Sequence, residues 1–91
     1  MTNEMIKLRD LLDYHNIPWE DYSDPDFLNY RIDRTKFHIK HNYYSVVHGF
    51  GTYGGWNQHQ RDYGLLEMQI NSEEPMGWMT AEDVIAIVLK K

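Results

Sequence analysis

Hydrophobic residues near the start of the chain recur at helical spacing. Met5, Leu8 and Leu12 follow the i, i+3, i+7 pattern of an amphipathic helix that begins near residue 3. The charged residues of this segment lie largely on the other side: Lys7, Arg9, Asp10 and Asp13. Asn16 favours a left-handed end to the helix, and Pro18 prevents its continuation.

The middle of the chain alternates between apolar and polar residues, which predicts antiparallel strands. Thr35, Phe37 and Ile39 share one face of the first strand. The other face carries its basic residues: Arg34, Lys36, His38 and Lys40. A turn at residues 41–42 leads into a returning strand over residues 43–48.

Two further strands complete the predicted sheet, together with a turn and a long loop. An edge strand is expected over residues 17–22, because Pro18 suits a sheet edge. The run of serine, aspartate and proline at residues 23–26 predicts a turn. Residues 49–64 are polar and rich in glycine, so we expect a long loop. Apolar and polar residues alternate again over residues 65–70, which predicts another strand.

The last part of the chain predicts a well-capped helix. Thr80 is a strong N-cap residue, and Asp83 completes a capping box with it. One apolar face consists of Ala81, Val84, Ile85 and Val88. The predicted fold is a single α+β domain over residues 1–91, with an N-terminal helix, an antiparallel sheet of about three to four strands, and a C-terminal helix packed on the sheet.

Composition agrees with a small globular protein and excludes several kinds of site. The chain has 91 residues, of which 42% are hydrophobic and none is cysteine. Disulfides, thiolate zinc sites and cysteine nucleophiles are therefore excluded. No apolar run approaches the roughly 18 residues of a membrane span, and no signal peptide is recognisable. We expect a cytoplasmic protein without membrane contact.

Ile87 and Leu89 widen the apolar surface of the last helix, which predicts a homo-oligomer.

Charge is distributed unevenly along this acidic chain, whose net charge is −5. Residues 1–27 carry seven acidic and two basic residues, residues 28–61 carry one acidic and five basic residues, and residues 62–91 carry six acidic and two basic residues. The overall charge argues against direct nucleic-acid binding. The basic centre instead favours a specific anionic ligand.

The glycine-rich segment admits two interpretations. Gly49, Gly51 and Gly54 match the spacing G-x-G-x-x-G, but no helical pattern follows Gly54 and only 37 residues remain, so a dinucleotide-binding fold is excluded. The segment is either a surface loop held by its own aromatic residues or an anion-binding nest with aromatic walls. In the second interpretation the ligand-binding residues are Gly51, Thr52, Tyr53, Gly54, Gly55 and Trp56.

The basic strand is the other candidate for ligand contact. Arg34, Lys36 and His38 place potential cations on one face, and Arg31 is close to them in sequence. Guanidinium and ammonium groups would hold an anion through charge-assisted hydrogen bonds. His48 ends the returning strand beside the glycine-rich segment, and we expect it to face the ligand. The alternative is that this strand presents an ordinary solvated face.

Metal-dependent and catalytic functions receive less support from the sequence. His38 and His41 are three residues apart, but they lie in a strand and a turn, and no His-Glu-x-x-His motif occurs. We predict neither a metal nor a cofactor. His48 leaves open a small enzyme with a histidine general base. No nucleophile stands beside it at a diagnostic spacing, so we expect a protein that is not an enzyme.

The layout, the segment GFGTYGGW and the closing segment GWMTAEDVIAIVLKK resemble small, acidic, cysteine-free proteins encoded by phages and prophages of Gram-positive bacteria. Such proteins include anti-defence factors. Some sequester nucleotide signals as oligomeric sponges, and others block a defence nuclease. The resemblance implies a viral binding protein that sequesters an anionic nucleotide-type molecule. The alternative is an acidic inhibitor of a host defence nuclease, whose acidic ends at residues 4–26 and 62–83 imitate nucleic acid.

Overall fold

The computed structural model describes residues 1–90, which form two terminal helices and a six-stranded antiparallel sheet. The elements are α1 (Asn3–Tyr14), β1 (Trp19–Asp21), β2 (Asp24–Phe27), β3 (Tyr30–Ile39), β4 (Asn42–Gly49), β5 (Leu66–Ile70), β6 (Met76–Met79) and α2 (Ala81–Lys90). The predicted α+β class is confirmed, as are both helices. The predicted strand number is wrong, because the sheet has six strands instead of three to four.

The ten-residue strand β3 organises the sheet. The strand order is β1-β3-β4-β5-β6, and β2 also pairs with β3. Trp19 of β1 lies opposite Phe37, and Phe27 of β2 lies opposite Tyr30. The strands β1 and β2 are therefore two parts of one sheet edge, interrupted at residues 22–23.

The two strands that the sequence pattern missed contain residues that usually mark turns. β2 includes Pro25 between two aspartates, where we predicted a turn, and β6 includes Gly77. Proline is tolerated in β2 because the strand lies at a sheet edge, where its missing N–H is not needed. The turn between β3 and β4 also differs by one residue from the prediction. Ile39 pairs with Asn42, which places the turn at residues 40–41, and Lys40 has a φ of 56°.

One face of the sheet packs against both helices and forms the core. Phe37, Val46 and Met68 lie on this face and are at most 5% exposed. The helices contribute the buried residues Met5, Leu8, Leu12, Ala81, Val84, Ile85 and Val88. The opposite face, hereafter the open face, carries the alternate residues of the same strands and has no helix over it.

Hydrogen bonds at the helix ends follow the local sequence, with one exception. Thr80 Oγ1 accepts the Asp83 N–H, and Asp83 Oδ2 accepts the Thr80 N–H, so the predicted capping box is confirmed. Asn16 has a φ of 58°, as predicted for the end of α1. Thr2 occupies the N-cap position of α1, but its hydroxyl donates to the carbonyl oxygen of Gly64 instead of capping the helix.

The outer surface of α2 bears on the predicted oligomer. Ile87 is half-buried and packs against the core of its own chain. Only part of the apolar α2 surface that predicted an oligomer is therefore available for contact with a second copy. Leu89 is 54% exposed. Among residues 1–90, neither helix has both the length and the apolar character needed to cross a membrane.

Candidate functional site

The open face places three predicted ligand residues side by side. Arg34, Lys36 and His38 alternate along β3 and point away from the helices, because a strand turns successive side chains to opposite faces. We call these three residues the basic row. They line a concavity of about 640 Å³. Opposite them on β4 lie Val47, Ser45 and Tyr43.

Aromatic side chains surround the basic row. The Lys36 Nζ atom lies 4.6 Å from the centroid of the Tyr22 ring, a cation–π distance. The rings of His38 and Tyr43 are 5.4 Å apart. Phe27 and Phe50 also line the concavity, and Phe50 stacks on Tyr30 with ring centroids 4.3 Å apart. These rings offer flat apolar surface beside positive charge.

The basic row lacks the close acidic partners that Arg9 and Arg31 have. Within residues 1–90, no carboxylate lies within salt-bridge distance of its three side chains, whereas Arg9 and Arg31 both form ion pairs. Two carboxylates do line the same concavity, namely those of Glu20 and Glu67. Glu67 already accepts the Tyr53 N–H at 2.9 Å. Glu20 lies opposite Lys36 in the strand register, so acidic and basic side chains share this surface without a direct ion pair.

The glycine-rich loop reaches the concavity at Phe50, Gly51 and Thr52. Its backbone donors are mostly used within the protein. The N–H groups of Gly51, Thr52 and Gly55 donate to the carbonyl oxygens of Trp56, Gly49 and Thr52, respectively. The expected nest therefore does not present these N–H groups to a ligand, and the loop contributes surface at one end of the concavity.

Two of the loop glycines are needed for packing. A Cβ on Gly55 would overlap the Gly49 carbonyl oxygen, and a Cβ on Gly54, whose φ is 100°, would lie 2.8 Å from Leu65 Cβ. Both glycines are buried. Tyr53 is 56% exposed, packs against Gly77 of β6 and does not itself line the concavity. These contacts support the interpretation of a loop held by its own residues.

The remaining predicted residues lie in a separate, smaller cavity of about 330 Å³. Arg31, His48 and Trp56 line it together with Asp33 and Asp62. Arg31 stands an odd number of positions from Arg34, so strand alternation turns it to the opposite face of β3. The single site predicted from the sequence is therefore divided between two faces of the sheet.

Hydrogen bonds connect the charged groups of the smaller cavity. Arg31 Nε donates to Asp33 Oδ1 at 2.8 Å, and His48 Nε2 lies 2.9 Å from Asp62 Oδ1. Partial burial acts to raise the pKa of Asp62, but hydrogen bonds from His48 and the Gly64 N–H outweigh burial and hold this pKa below its ordinary value. The His48–Asp62 contact joins the end of the long loop to β4. Within residues 1–90, no three histidine or acidic side chains are grouped so as to hold a metal ion.

Sequence reasoning missed the aromatic and polar residues that other elements bring to the concavity. Tyr22 and Phe27 come from the edge strands and their connection, and Phe50 follows β4 directly. Ser45 and Gln69 were detectable, because their alternation with buried neighbours places them on the open face.

No family model, curated protein or solved structure matches this chain.

Proposed function

We propose that this protein is a non-enzymatic binding protein that holds an anionic, nucleotide-type small molecule on the open face of its sheet. The observation that carries the proposal is the basic row, which faces a concavity of about 640 Å³ and forms no ion pair within residues 1–90. Pockets for small molecules commonly have about 300–1,000 Å³. The neighbouring aromatic rings suit the flat base of a nucleotide.

The proposed biological role is sequestration of such a molecule in a bacterial cytoplasm, as an anti-defence factor encoded by a phage. A protein that only sequesters its ligand needs affinity and abundance, and it needs no catalytic group beside the ligand. Self-association through the face of α2 that exposes Leu89 belongs to the same proposal. Light scattering at micromolar concentration tests it, and a particle with the mass of one chain would contradict it.

Alanine variants of the basic row test the binding site. A charge-assisted hydrogen bond contributes about 1.5–3 kcal/mol, so Arg34→Ala or Lys36→Ala should weaken binding roughly ten- to hundredfold. Isothermal titration calorimetry with ADP-ribose, a cyclic dinucleotide and inorganic phosphate measures the affinity. Lys40→Ala is the matched control, because Lys40 lies in the turn after β3 and does not line the concavity. Absence of heat with every anion would contradict the proposed function.

The second candidate function, inhibition of a defence protein, is favoured by the hairpin between β2 and β3. Both turn residues have positive φ, 50° for Leu28 and 71° for Asn29, and Leu28 is 73% exposed. Such turns favour asparagine and glycine, because a leucine side chain is strained there. Asp24 and Asp26 precede this apolar tip. The combination suits an apolar pocket bordered by basic residues on another protein.

A glycine at the tip separates the two candidate functions. Leu28→Gly should stabilise the fold by up to about 1 kcal/mol, because it relieves the strain. If the tip binds a partner, the same change should abolish co-elution of a host nuclease with the tagged protein. Equal recovery of the nuclease with wild type and variant would contradict a role for the tip. Anion binding on the open face should be the same in both proteins.

A further inference from the structure

We infer that the ligand carries two anionic groups separated by about the length of one sugar, as in a dinucleotide, and not two directly linked phosphates. This inference rests on the proposed function. It concerns the spacing along β3 of the Cα atoms that carry the basic side chains, which the backbone fixes before any side chain moves. The basic row has a basic side chain at every second position of a regular strand, and a ligand matched to it has charges at a similar interval.

Strand geometry sets that interval. A residue advances a strand by about 3.3 Å, so the Cα atoms of Arg34 and Lys36 are about 6.6 Å apart, as are those of Lys36 and His38. Two residues of backbone contain as many covalent bonds as the path from one phosphorus to the next along a nucleotide chain. The phosphorus atoms of a diphosphate share a single bridging oxygen and lie much closer together. A dinucleotide therefore matches two neighbouring members of the row.

The pairing of β3 with β1 and β4 keeps this spacing constant. Lys36 lies opposite Glu20 on one side and Ser45 on the other, and Arg34 lies opposite Val47. Strand β3 is thus held on both sides at Lys36, and its cations cannot converge on one phosphate through a backbone shift. The cation–π contact with Tyr22 further restrains the Lys36 ammonium group.

The two carboxylates at the margins of the concavity limit the total charge of the ligand. Glu20 faces it from β1 and Glu67 from β5, on either side of the basic row. A longer polyanion that crossed the row would approach one of them, and like charges at short distance are unfavourable. A ligand with two charged groups aligned along β3 approaches only Glu20, which lies opposite Lys36, and stays clear of Glu67, which lies two strands away. The site therefore selects a short ligand over a nucleic-acid strand.

The aromatic rings beside the basic row offer stacking surfaces for the bases of such a ligand. Tyr43 is 66% exposed and lies across from His38, whereas Tyr22 is 48% exposed and lies beside Lys36. Stacking of a base on an aromatic ring contributes about 1–3 kcal/mol in single-strand binding proteins. Two rings on opposite sides of the row agree with a ligand that has two bases.

Calorimetric titration of the purified full-length protein with four adenine ligands tests the inference. The linear dinucleotide pApA has two phosphates separated by a ribose, and ADP carries the same nominal charge on adjacent phosphates. ApA has two adenine bases and one phosphate, and AMP has one adenine base and one phosphate. We expect pApA to bind at least about tenfold more tightly than each of the other three, as one additional charge-assisted contact requires.

Each contrary result has its own meaning. If ADP binds as tightly as pApA, charge spacing is irrelevant and the inference is overturned, while anion binding itself stands. If ApA equals pApA, the bases and not the second phosphate determine affinity, and the inference is again overturned. If none of the four ligands binds, and phosphate and ADP-ribose also fail, the proposed function is contradicted and the inference falls with it.

Variants of the basic row complete the test. Arg34→Ala and Lys36→Ala should each reduce the affinity for pApA to about that for ApA, because each removes one of the two phosphate contacts. Lys40→Ala should leave both affinities unchanged. Thermal unfolding confirms that each variant is folded before titration. If Arg34→Ala and Lys36→Ala both bind pApA as tightly as wild type does, the basic row does not distinguish ligands by the spacing of their charges, and the inference is overturned.

Discussion

Replacing Gly55 with alanine should lower the free energy of unfolding by more than about 3 kcal/mol, a large effect for the addition of one methyl group. Gly55 is buried where the long loop folds back on the end of β4, and a Cβ there would overlap the Gly49 carbonyl oxygen and the Thr52 hydroxyl. Gly49 cannot move away easily, because its own Cα position is packed against Ile32 on β3. Chemical denaturation followed by tryptophan fluorescence measures the loss.

Gly51 provides the matched control for this prediction. It belongs to the same loop, but a Cβ at this position would meet nothing within 4 Å. Its φ of 81° still disfavours a side chain, so Gly51→Ala should cost only about 1 kcal/mol. If Gly55→Ala costs no more than Gly51→Ala, the loop adjusts to the added methyl group and the argument from close packing is wrong.

Replacing Arg9 with alanine should destabilise the protein by about 3 kcal/mol, because the change removes a largely buried guanidinium and its hydrogen bonds to Thr35, Asp21 and the Arg34 carbonyl oxygen. The Arg9 side chain is only 11% exposed. Its Nε donates to Thr35 Oγ1 at 2.8 Å, and its Nη2 donates to Asp21 Oδ1 at 3.1 Å. The guanidinium also lies 4.7 Å from the centroid of the Trp19 ring. One side chain of α1 thus joins the helix to β1 and β3.

Two further variants separate this network from simple loss of charge. Arg9→Lys keeps the charge but cannot reproduce the planar set of donors, so we expect about half of the alanine effect. Lys7→Ala removes an exposed lysine that pairs with Glu4 at 3.6 Å, and it should cost less than about 1 kcal/mol. Equal effects of Arg9→Ala and Lys7→Ala in chemical denaturation would show that the network contributes nothing beyond surface charge.

The same network makes a contribution to stability that depends on pH. Hydrogen bonds from Ser23 and the charge and hydrogen bond of Arg9 lower the pKa of Asp21 to about 2. Because this pKa is lowered on folding, the contribution is present above the unfolded value of about 3.9 and is lost as pH falls toward 2. Asp21 is half exposed, so solvent screening keeps the contribution below about 1 kcal/mol. Arg9→Ala should make the dependence of stability on pH between 4 and 2 only somewhat shallower, because the larger lowering of this pKa, by Ser23, remains.

Local patterns in the sequence predicted the elements whose stabilising contacts are close along the chain. The spacing of Met5, Leu8 and Leu12 predicted α1, and Thr80 with Asp83 predicted the start of α2, because helix contacts and caps involve residues three or four positions apart. Alternation predicted β3 and β4 and assigned Arg34, Lys36 and His38 to one face. The same alternation, applied to Arg31, would have placed it on the other face.

Contacts between distant parts of the chain were not predictable from these patterns. β2 and β6 contain proline or glycine and have few residues, so their strand character depends on pairing with β3 and β5. Arg9 was placed on the solvated side of α1, since nothing near it in sequence indicates that Thr35 and Asp21 lie beside it. The contact of His48 with Asp62 likewise depends on the path of the long loop.

The sequence by itself determined the two helices, the central hairpin and the row of three basic residues, because helical and strand periodicity follow from backbone geometry within a few residues. Only the tertiary structure decided which side chains share a cavity. It placed the basic row with Tyr22 and Phe27 on the open face and left His48 and Trp56 on the other. The reason is that strand pairing and loop packing bring the residues of a cavity together, and the local sequence of a segment does not indicate which other segments it contacts.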